Sequence, residues 1–478
     1  MSGIISWVTS KDLRHRLDAD FYRPEYLSID HRAAAHGLPL RPVVALSSLV
    51  TDGTHKTPAY VDSGVPFLSA KNIGGGFVNA SSGHKYVSAD EFTQLKRWNC
   101  APEADDVLVA KSGSIGSAGL ARGAYPQYAV FESVAIIRPR GVRPSYLSAF
   151  LNSRLGQLQI RRHSKGAVIR HLHLEDLRDV DVPLPDQRVQ DYIGAKIELA
   201  ERCRALASRE HVKLAADLAT LYQGCPHDAE SSLSTVVGPA EVDGSRLDAW
   251  YHQRHFITLT DWLRRNPAFV ELGKVASLSA DRWSPGGHAQ STFRYIEISN
   301  VDPSTGHVSH SEVPVESAPS RARKLVRRFD VLASTVRPNR GAVGLVPESL
   351  DGAVATTGFA VVRPANKTDA FFLLAVLRHP ASTAQLMRCN TGSAYPAIEE
   401  SVLPQMWIPG AKPETRKSLG ARELMRTTLL HTAVDLVNQA KADVEALIEG
   451  TLDVQAILAG TLEAPTADGI PELAEVTA

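Results

Sequence analysis

The sequence predicts an α+β fold in which two similar domains are separated by two long antiparallel coiled-coil helices. Three observations lead there. Segments of the first half return in the second half in the same order. Each copy is followed by a long stretch of helical periodicity. Inside each copy, short β-like runs alternate with turn residues.

The repeat is direct. Arg16-Leu17-Asp18-Ala19 returns as Arg246-Leu247-Asp248-Ala249, shifted by 230 residues. Asp106-Val107-Leu108-Val109-Ala110 returns as Asp330-Val331-Leu332-Ala333-Ser334, shifted by 224, and Phe131–Pro139 returns as Thr356–Pro364, shifted by 225. The shift drifts by only a few residues, so the whole unit is doubled. A period this long rules out a solenoid, whose units run to roughly 20–50 residues. Two similar domains on one chain suit a partner that offers two similar targets.

Taken in order, residues 1–40 form a mixed lead-in and 41–185 a first domain. Its β-like runs are Val65–Leu68, Asp106–Ala110 and Ser133–Ile137, broken at Asp52-Gly53, Asp62-Ser63-Gly64, Gly74-Gly75-Gly76 and Lys111-Ser112-Gly113. A helical patch, Pro144 to Leu158, follows. Over 186–225 prolines disappear until Pro226, and Val189, Ile193, Ile197, Ala200, Cys203, Ala207, Leu214, Leu218 and Leu221 recur mostly at spacings of three, four or seven. That is a narrow apolar stripe on one helix, read from Asp186 to Tyr222. At roughly 1.5 Å per residue the rod is about 55 Å long, longer than a domain of this size is wide. It needs a partner along the stripe. Residues 226–268 are linker and repeat start, and 269–410 the second domain. Residues 411–453 form the second long helix, with Leu429, Ala433, Val437, Ala440, Val444, Leu447 and Ile448 near heptad spacing. Residues 454–478 read as a flexible tail. Each stripe is the natural burial site for the other, the alternative being that each helix packs on its own domain.

The bulk numbers bound the class. With 44% hydrophobic residues in 478 the chain can bury real cores. The four cysteines are scattered, which fits reduced thiols in a cytoplasmic protein rather than a disulfide or zinc framework. The opening Met1–Trp7 has no basic region before an apolar core, so no signal peptide is expected. The apolar run Ala370–Leu377 is too short to span a bilayer, so no membrane partner is expected. Formal net charge is zero, which counts against a simple nucleic-acid binder. The distribution softens this: 17 basic against 12 acidic residues lie between Arg41 and Pro185, and 14 against 12 between Phe269 and Gly410.

Asp52-Gly53-Thr54-His55-Lys56-Thr57-Pro58, followed by Tyr60–Leu68 and Lys71-Asn72-Ile73, resembles the opening of a target-recognition domain in the specificity subunit of type I restriction–modification systems. Lys111-Ser112-Gly113-Ser114-Ile115-Gly116 is similar to that family's central Ser-Gly-x-Ile-Gly turn. Arg170-His171-Leu172 with Leu174–Leu177 and Val182-Pro183-Leu184-Pro185 is similar to its closing segment. In the second half Thr335–Gly341 stands where the Ser-Gly turn should be, and Trp407-Ile408-Pro409 where the closing prolines should be. The resemblance covers residues 16 to 453. It implies two target-recognition domains, each reading one half-site of a bipartite double-stranded DNA target. It also implies a non-catalytic chain that joins two methyltransferase subunits and the motor–nuclease restriction subunits. S-adenosylmethionine and ATP/Mg then belong to those partners, with no cofactor or metal on this chain. By omission the sequence agrees, since it holds neither an Asn/Asp-Pro-Pro-Tyr/Phe methyltransferase motif nor a G-x-x-x-x-G-K-[ST] loop.

Reading bases needs side chains that reach groove edges, and holding a duplex needs donors aimed at phosphates. The candidates in the first domain are Lys56, Lys71, Asn72, Lys111 and Ser112 on turn-like segments, and Arg161, Arg162, Lys165 and Arg170 in its densest basic stretch. In the second they are Arg321, Arg323 and Lys324, with Arg337 and Arg340 as guanine readers because a guanidinium fork matches guanine O6 and N7. Each of these could equally be an ordinary turn or solvated face. His171 and His173 suggest no metal, lacking a recognisable third ligand. Arg16, Asp18, Arg246 and Asp248 of the repeated motif are candidate subunit-docking residues, the plain alternative being a helix cap with a local salt bridge. Two rival functions stand beside the resemblance: a self-contained DNA-modifying or DNA-cleaving enzyme with unfamiliar motifs, and a two-domain scaffold for proteins or glycans.

Overall fold

The computed structural model describes the chain except residues 1–7, 10–12, 14–17, 81–82, 123–126, 165–170, 228–233, 243, 245, 287–290, 392–394, 471–472 and 474–478. It divides into two compact units, Met1–Ala205 with Thr432–Ala478, and Leu206–His431. The division falls inside both long helices, Gln187–Leu221 and Pro413–Glu449, so each unit holds a β-rich lobe and one half of each helix.

In unit 1 an antiparallel sheet runs in the order Ser47–Asp52, Val134–Pro139, Val107–Ala110, Ala118–Leu120. Val107–Ala110 and Val134–Ile137 are buried throughout, which is why they read as unbroken apolar runs and not as alternating ones. A second sheet follows the order Ala129–Val130, Val65–Leu68, Lys85–Val87, Tyr60–Val61, with its first pair parallel. Leu68, Ile73, Val130, Leu108, Val134 and Ile136 join residues of both sheets in one core. Leu40–Pro42 pairs antiparallel with Asp181–Pro183, so entry to and exit from the lobe meet just before the first long helix.

Unit 2 repeats the first sheet of this plan and varies the edges of the second. Its antiparallel sheet is ordered Ala276–Leu278, Phe359–Pro364, Val331–Ser334, Val343–Leu345. Its second sheet holds Ser311–Pro314, Thr292–Ile296, Val354–Thr356 and Ala322–Leu325, with the middle pair parallel. The closing pair is Phe269–Glu271 with Trp407–Pro409. Even register is kept: Ile136 faces Leu108 and Val361 faces Leu332.

The same ion pair fastens both sheets. Arg138 donates from Nε and Nη2 to Asp106 at 2.9 and 3.0 Å, and Arg363 does the same to Asp330 at 2.9 and 2.8 Å. Each aspartate also accepts a backbone N–H three residues upstream, from Glu103 at 2.8 Å or Arg327 at 2.9 Å. The residues just before them, Asp105 and Phe329, both have left-handed backbone, φ 67° and 69°. A phenylalanine disfavours that region, so the fold imposes this turn on both sequences.

Both apolar stripes are buried. In unit 1 Val189, Ile193, Ile197 and Ala200 are buried, as are Ala433, Val437, Ala440, Val444 and Ile448, and Lys196 forms an ion pair with Asp443. In unit 2 Leu214, Leu218, Leu419 and Leu429 are buried, and Arg422 bridges to Glu210 at 3.2 Å and Asp217 at 3.0 Å. From the Lys196–Asp443 pair to the Glu210–Arg422 pair, numbers rise on one helix as they fall on the other, so the two helices run antiparallel. The stripes do not serve each other alone: Leu214, Leu218 and Leu419 share a cluster with Phe372, Leu373 and Ala381 of the lobe. Each fully buried Leu, Val or Ile contributes about 1.5–3 kcal/mol relative to exposure. No described helix is long and apolar enough to cross a membrane.

Candidate nucleic-acid interface

In unit 1, strands Ser47–Asp52 and Val107–Ala110 end, and Val134–Pro139 begins, at one end of the sheet. Three connections therefore crowd together there. Lys111 donates its backbone N–H to the Ser133 carbonyl at 2.8 Å, and the Ser133 hydroxyl accepts from Ala70 N at 3.1 Å, which draws in the turn Ala70–Asn72. Gly53 is obligatory, since a Cβ there would stand 2.0 Å from the Val130 oxygen. The result brings Lys56, Lys71, Lys111 and Ser112 together. Lys56 and Lys71 are exposed; Lys111 and Ser112 are half-buried.

Carboxylates share this end. Lys111 Nζ forms an ion pair with Asp52; Asp52 meets His55 Nε2 at 3.3 Å, and His55 Nδ1 meets Glu132 at 2.7 Å. None of Asp52, His55 or Glu132 was singled out from sequence. Lys111 is thus held within the loop cluster, while Lys56 and Lys71 project from it.

The corresponding end of unit 2 keeps the backbone and changes the side chains. Thr335 N donates to Gly358 O at 2.8 Å as Lys111 N does to Ser133 O, and Ile398 N donates to Thr335 O at 2.9 Å as Leu172 N does to Lys111 O at 3.2 Å. By the same register Ala280 replaces Asp52, so the Lys–Asp pair is lost as a pair. In its place Arg337, left-handed at φ 51°, donates its N–H to Pro396 O at 2.6 Å and lays its guanidinium 4.5 Å from the centre of the Tyr395 ring. Tyr395 is 64% exposed. Arg340 is exposed at the end of the turn Pro338–Arg340, and exposed Arg321 accepts Thr357 N–H through its carbonyl at 2.9 Å. Arg321, Arg337 and Arg340 therefore share the loop end with an aromatic ring that sequence reading missed.

Three candidates are buried and held by internal partners. Asn72 is buried and closes its own turn, accepting Ser69 N–H at 3.0 Å and donating to Asn79 O at 3.0 Å. Asn300 does the same in unit 2, accepting Glu297 N–H at 2.8 Å. Arg162 is buried, paired with Asp30 at 2.7 Å and bonded to Phe21 O at 3.0 Å. Lys324 is buried and paired with Glu400. Arg323 is half-buried and bonded to Ala322 O at 2.8 Å, while Arg161 is exposed. Lys165 and Arg170 lie outside the described residues, as does Arg16. His171 and His173 are both exposed, and no group of three metal-ligating residues occurs among the described residues.

The repeated Arg-Leu-Asp-Ala motif has a shared local role. Asp18 accepts Phe21 N–H at 3.2 Å and Asp248 accepts Tyr251 N–H at 2.9 Å, each fixing a one-turn bend. An arginine then clamps each aromatic residue. Arg162 donates to Phe21 O at 3.0 Å and Arg388 to Tyr251 O at 3.2 Å, both with the guanidinium 4.2 Å from the ring centre. Arg246 is paired with Asp248 at 2.7 Å and bonded to Asn390 O at 2.9 Å.

The chain is similar to type I restriction–modification specificity subunits of known structure. One is the crystal structure of the S subunit from M. genitalium, with TM-score 0.43 and 11% identity over 87% of this chain and 96% of that one. A second comes from work on complex assembly and conformational transition of the type I R-M system, with TM-score 0.28 and 15% identity over 87% and 99%. A third is the HsdS subunit of Thermoanaerobacter tengcongensis, with TM-score 0.27 and 16% identity over 87% and 97%. No protein-family model and no curated protein matches the chain.

Proposed function

We propose that this chain is the DNA-specificity subunit of a type I restriction–modification complex, with one lobe per half-site of a bipartite target. One observation carries the reading: the two lobes share the strand order and register of their antiparallel sheets and the Arg–Asp fastening, yet carry different side chains at the same loop end. A common frame with two different reading surfaces suits two different short sequences. The sequence motifs of the first copy point to the same family. In this reading 41–185 and 269–410 are the target-recognition domains, and the long helices are the spacers that set the unread gap. Lys56, Lys71, Arg161 and Arg321 face phosphate, with Lys111, Ser112, Arg337 and Arg340 nearer the bases. Arg246, Asp18 and Asp248 fix the repeated docking surface for two methyltransferase subunits. The chain itself performs no chemistry; methyl transfer from S-adenosylmethionine and ATP-driven cleavage belong to its partners.

Methylome sequencing of the host with and without the gene tests this. The expected outcome is loss of methylation at one bipartite motif. Unchanged methylation, or cleavage or S-adenosylmethionine binding by the purified chain alone, overturns the assignment. A duplex shift that does not weaken with salt favours the scaffold alternative, because phosphate contacts release counterions and make log K fall linearly with log[salt].

A further inference from the structure

The doubled architecture supplies an internal control, and at one corner the copies differ in packing. In unit 1 the helix Arg154–His163 begins on Ser153, and Asn152 before it donates to Ala118 O at 2.9 Å. Gln157 fills the space beside Gly116, donating to the carbonyls of Gly116 at 2.9 Å and Leu151 at 2.6 Å. Arg154 ties the corner to the second long helix through Glu445 at 3.4 Å and Glu449 at 3.2 Å. Amide and ion pairs close it.

In unit 2 the same corner is hollow. Arg378 replaces Asn152, keeping the bond to the matching strand through Nη1 to Val343 O at 3.1 Å. Thr383 stands where Gln157 would, and Pro380 where Arg154 would. A cavity of about 620 Å³ opens here, reaching Gly341, the counterpart of Gly116. Its size is that of small-molecule sites, about 300–1,000 Å³. Leu214 and Leu218 give it an apolar side. Tyr222 and His379 also line it, stacked on each other at 3.8 Å with planes 7° apart.

The cavity also holds a cation with no direct ion pair, Glu423 and Asp302 acting on it only from a distance. Arg378 is half-buried, and no carboxylate lies within ion-pair distance of it among the described residues. Its Nη2 donates to Pro303 O at 3.0 Å and Ser304 O at 2.7 Å. With the Val343 bond, three of its five N–H donors are used, leaving Nε–H and one Nη1–H without partners among the described residues. The neighbouring Arg426 is neutralised by Glu423, at 2.7 and 2.6 Å. Burial, with the like charge of Arg426, pushes the Arg378 guanidinium down to about 10. Glu423 and Asp302 offset this in part, and a partly desolvated charge without a direct ion pair remains costly.

We propose that this cavity is a binding site for a small organic anion carrying a flat ring, its anionic group seated on Arg378 and its ring against the Tyr222–His379 wall. The fold does not require the hollow, since unit 1 closes it. The inference stands whether or not the chain reads DNA. A ligand here would touch Gly341, which ends the Arg337–Arg340 turn, and so could alter that loop.

Thermal-shift and calorimetric titration of the purified full chain test it. The probes are adenosine monophosphate for the phosphate class, indole-3-acetate for the carboxylate class, and adenosine and inorganic phosphate as controls lacking one element each. The expected result is saturable binding of one ring-bearing anion, weakened about tenfold or more by Arg378→Asn, the residue unit 1 carries. Arg378→Lys should restore part of it, and Lys274→Ala, at an exposed lysine of the same unit, should leave it unchanged. Should Arg378→Asn fail to fold, Ala375→Met, which narrows the cavity and leaves the charge, must abolish binding. No binding of either ring-bearing anion, equal binding of inorganic phosphate, or binding insensitive to both Arg378→Asn and Ala375→Met overturns the proposal.

Discussion

Removing the carboxylate of Asp330 should destabilise unit 2 and leave unit 1 intact, while Asp106→Ala should do the converse. Asp330 is 2% exposed at its side chain and accepts three hydrogen bonds, two from Arg363 and one from the Arg327 N–H. Breaking one partner of a buried pair costs about 3–5 kcal/mol, because the remaining charge is left buried. Here the remaining charge is not wholly stranded. Arg363 is 23% exposed and keeps Asp281 at 2.8 Å, and Arg138 is 29% exposed and keeps Glu103 at 3.0 Å. The expected loss is therefore about 2–4 kcal/mol for each variant. Hydrogen exchange read by mass spectrometry resolves the two units. Asp330→Ala should speed exchange in strands Val331–Ser334 and Phe359–Pro364, and leave Val107–Ala110 and Val134–Pro139 at parental rates. Urea unfolding gives the magnitude. A loss below about 1 kcal/mol, or equal acceleration in both sheets, would show that the pair does not hold its own lobe together.

Further outcomes follow from other groups. Burial pushes the Glu201 carboxyl up to about 7, against partial relief from Arg204 and Arg122. The unfolded chain ionises this group near pH 4–5 while the folded chain keeps its proton to about 7. Native stability from Glu201 is thus lost as pH rises across that window. Glu201→Gln should match the parent melting temperature at pH 4.5 and exceed it at pH 8, and a pH-independent difference would refute the burial account. Four residues inserted after Arg204 and four after Asp435 keep the antiparallel register set by Lys196 and Asp443. They lengthen the pair by about 6 Å and turn it by about 40°, near the 7 Å and 70° of roughly two base pairs. The methylated motif should then gain a gap about two base pairs longer with unchanged half-sites, and an unchanged gap defeats the spacer role. Lys56→Ala with Lys71→Ala should weaken duplex binding equally for all sequences and lower the salt slope by about 2. A selective loss for one sequence would place these lysines on bases instead.

Much of the frame was legible because periodicity is local. The helix read from Asp186 to Tyr222 spans Gln187–Leu221, and every stripe residue but Leu221 is buried. The matching segments Asp106–Ala110 and Asp330–Ser334 announce the repeat. One further correspondence was available: Phe67-Leu68-Ser69-Ala70-Lys71-Asn72-Ile73 aligns with Tyr295-Ile296-Glu297-Ile298-Ser299-Asn300-Val301, which marks Asn72 as a turn-closing residue in both copies. The site was less legible because a basic residue looks the same whether it is free or paired. Arg162 and Lys324 are set apart from Arg161 and Arg321 by partners distant in sequence, such as Asp30 and Glu400, which lie 132 and 76 residues away. Likewise Asp52 lies 59 residues from Lys111, and the Tyr395 ring 58 from Arg337.

The placement of the unit boundary inside both helices also bears on biosynthesis. A ribosome makes the first lobe early, yet Val189, Ile193, Ile197 and Ala200 must wait for Ala433, Val437, Ala440 and Val444, more than two hundred residues later. Unit 2 is contiguous and has all its residues once His431 has emerged. The lobe translated first is therefore the one completed last, and until then its nascent helix presents an uncovered greasy edge to chaperones.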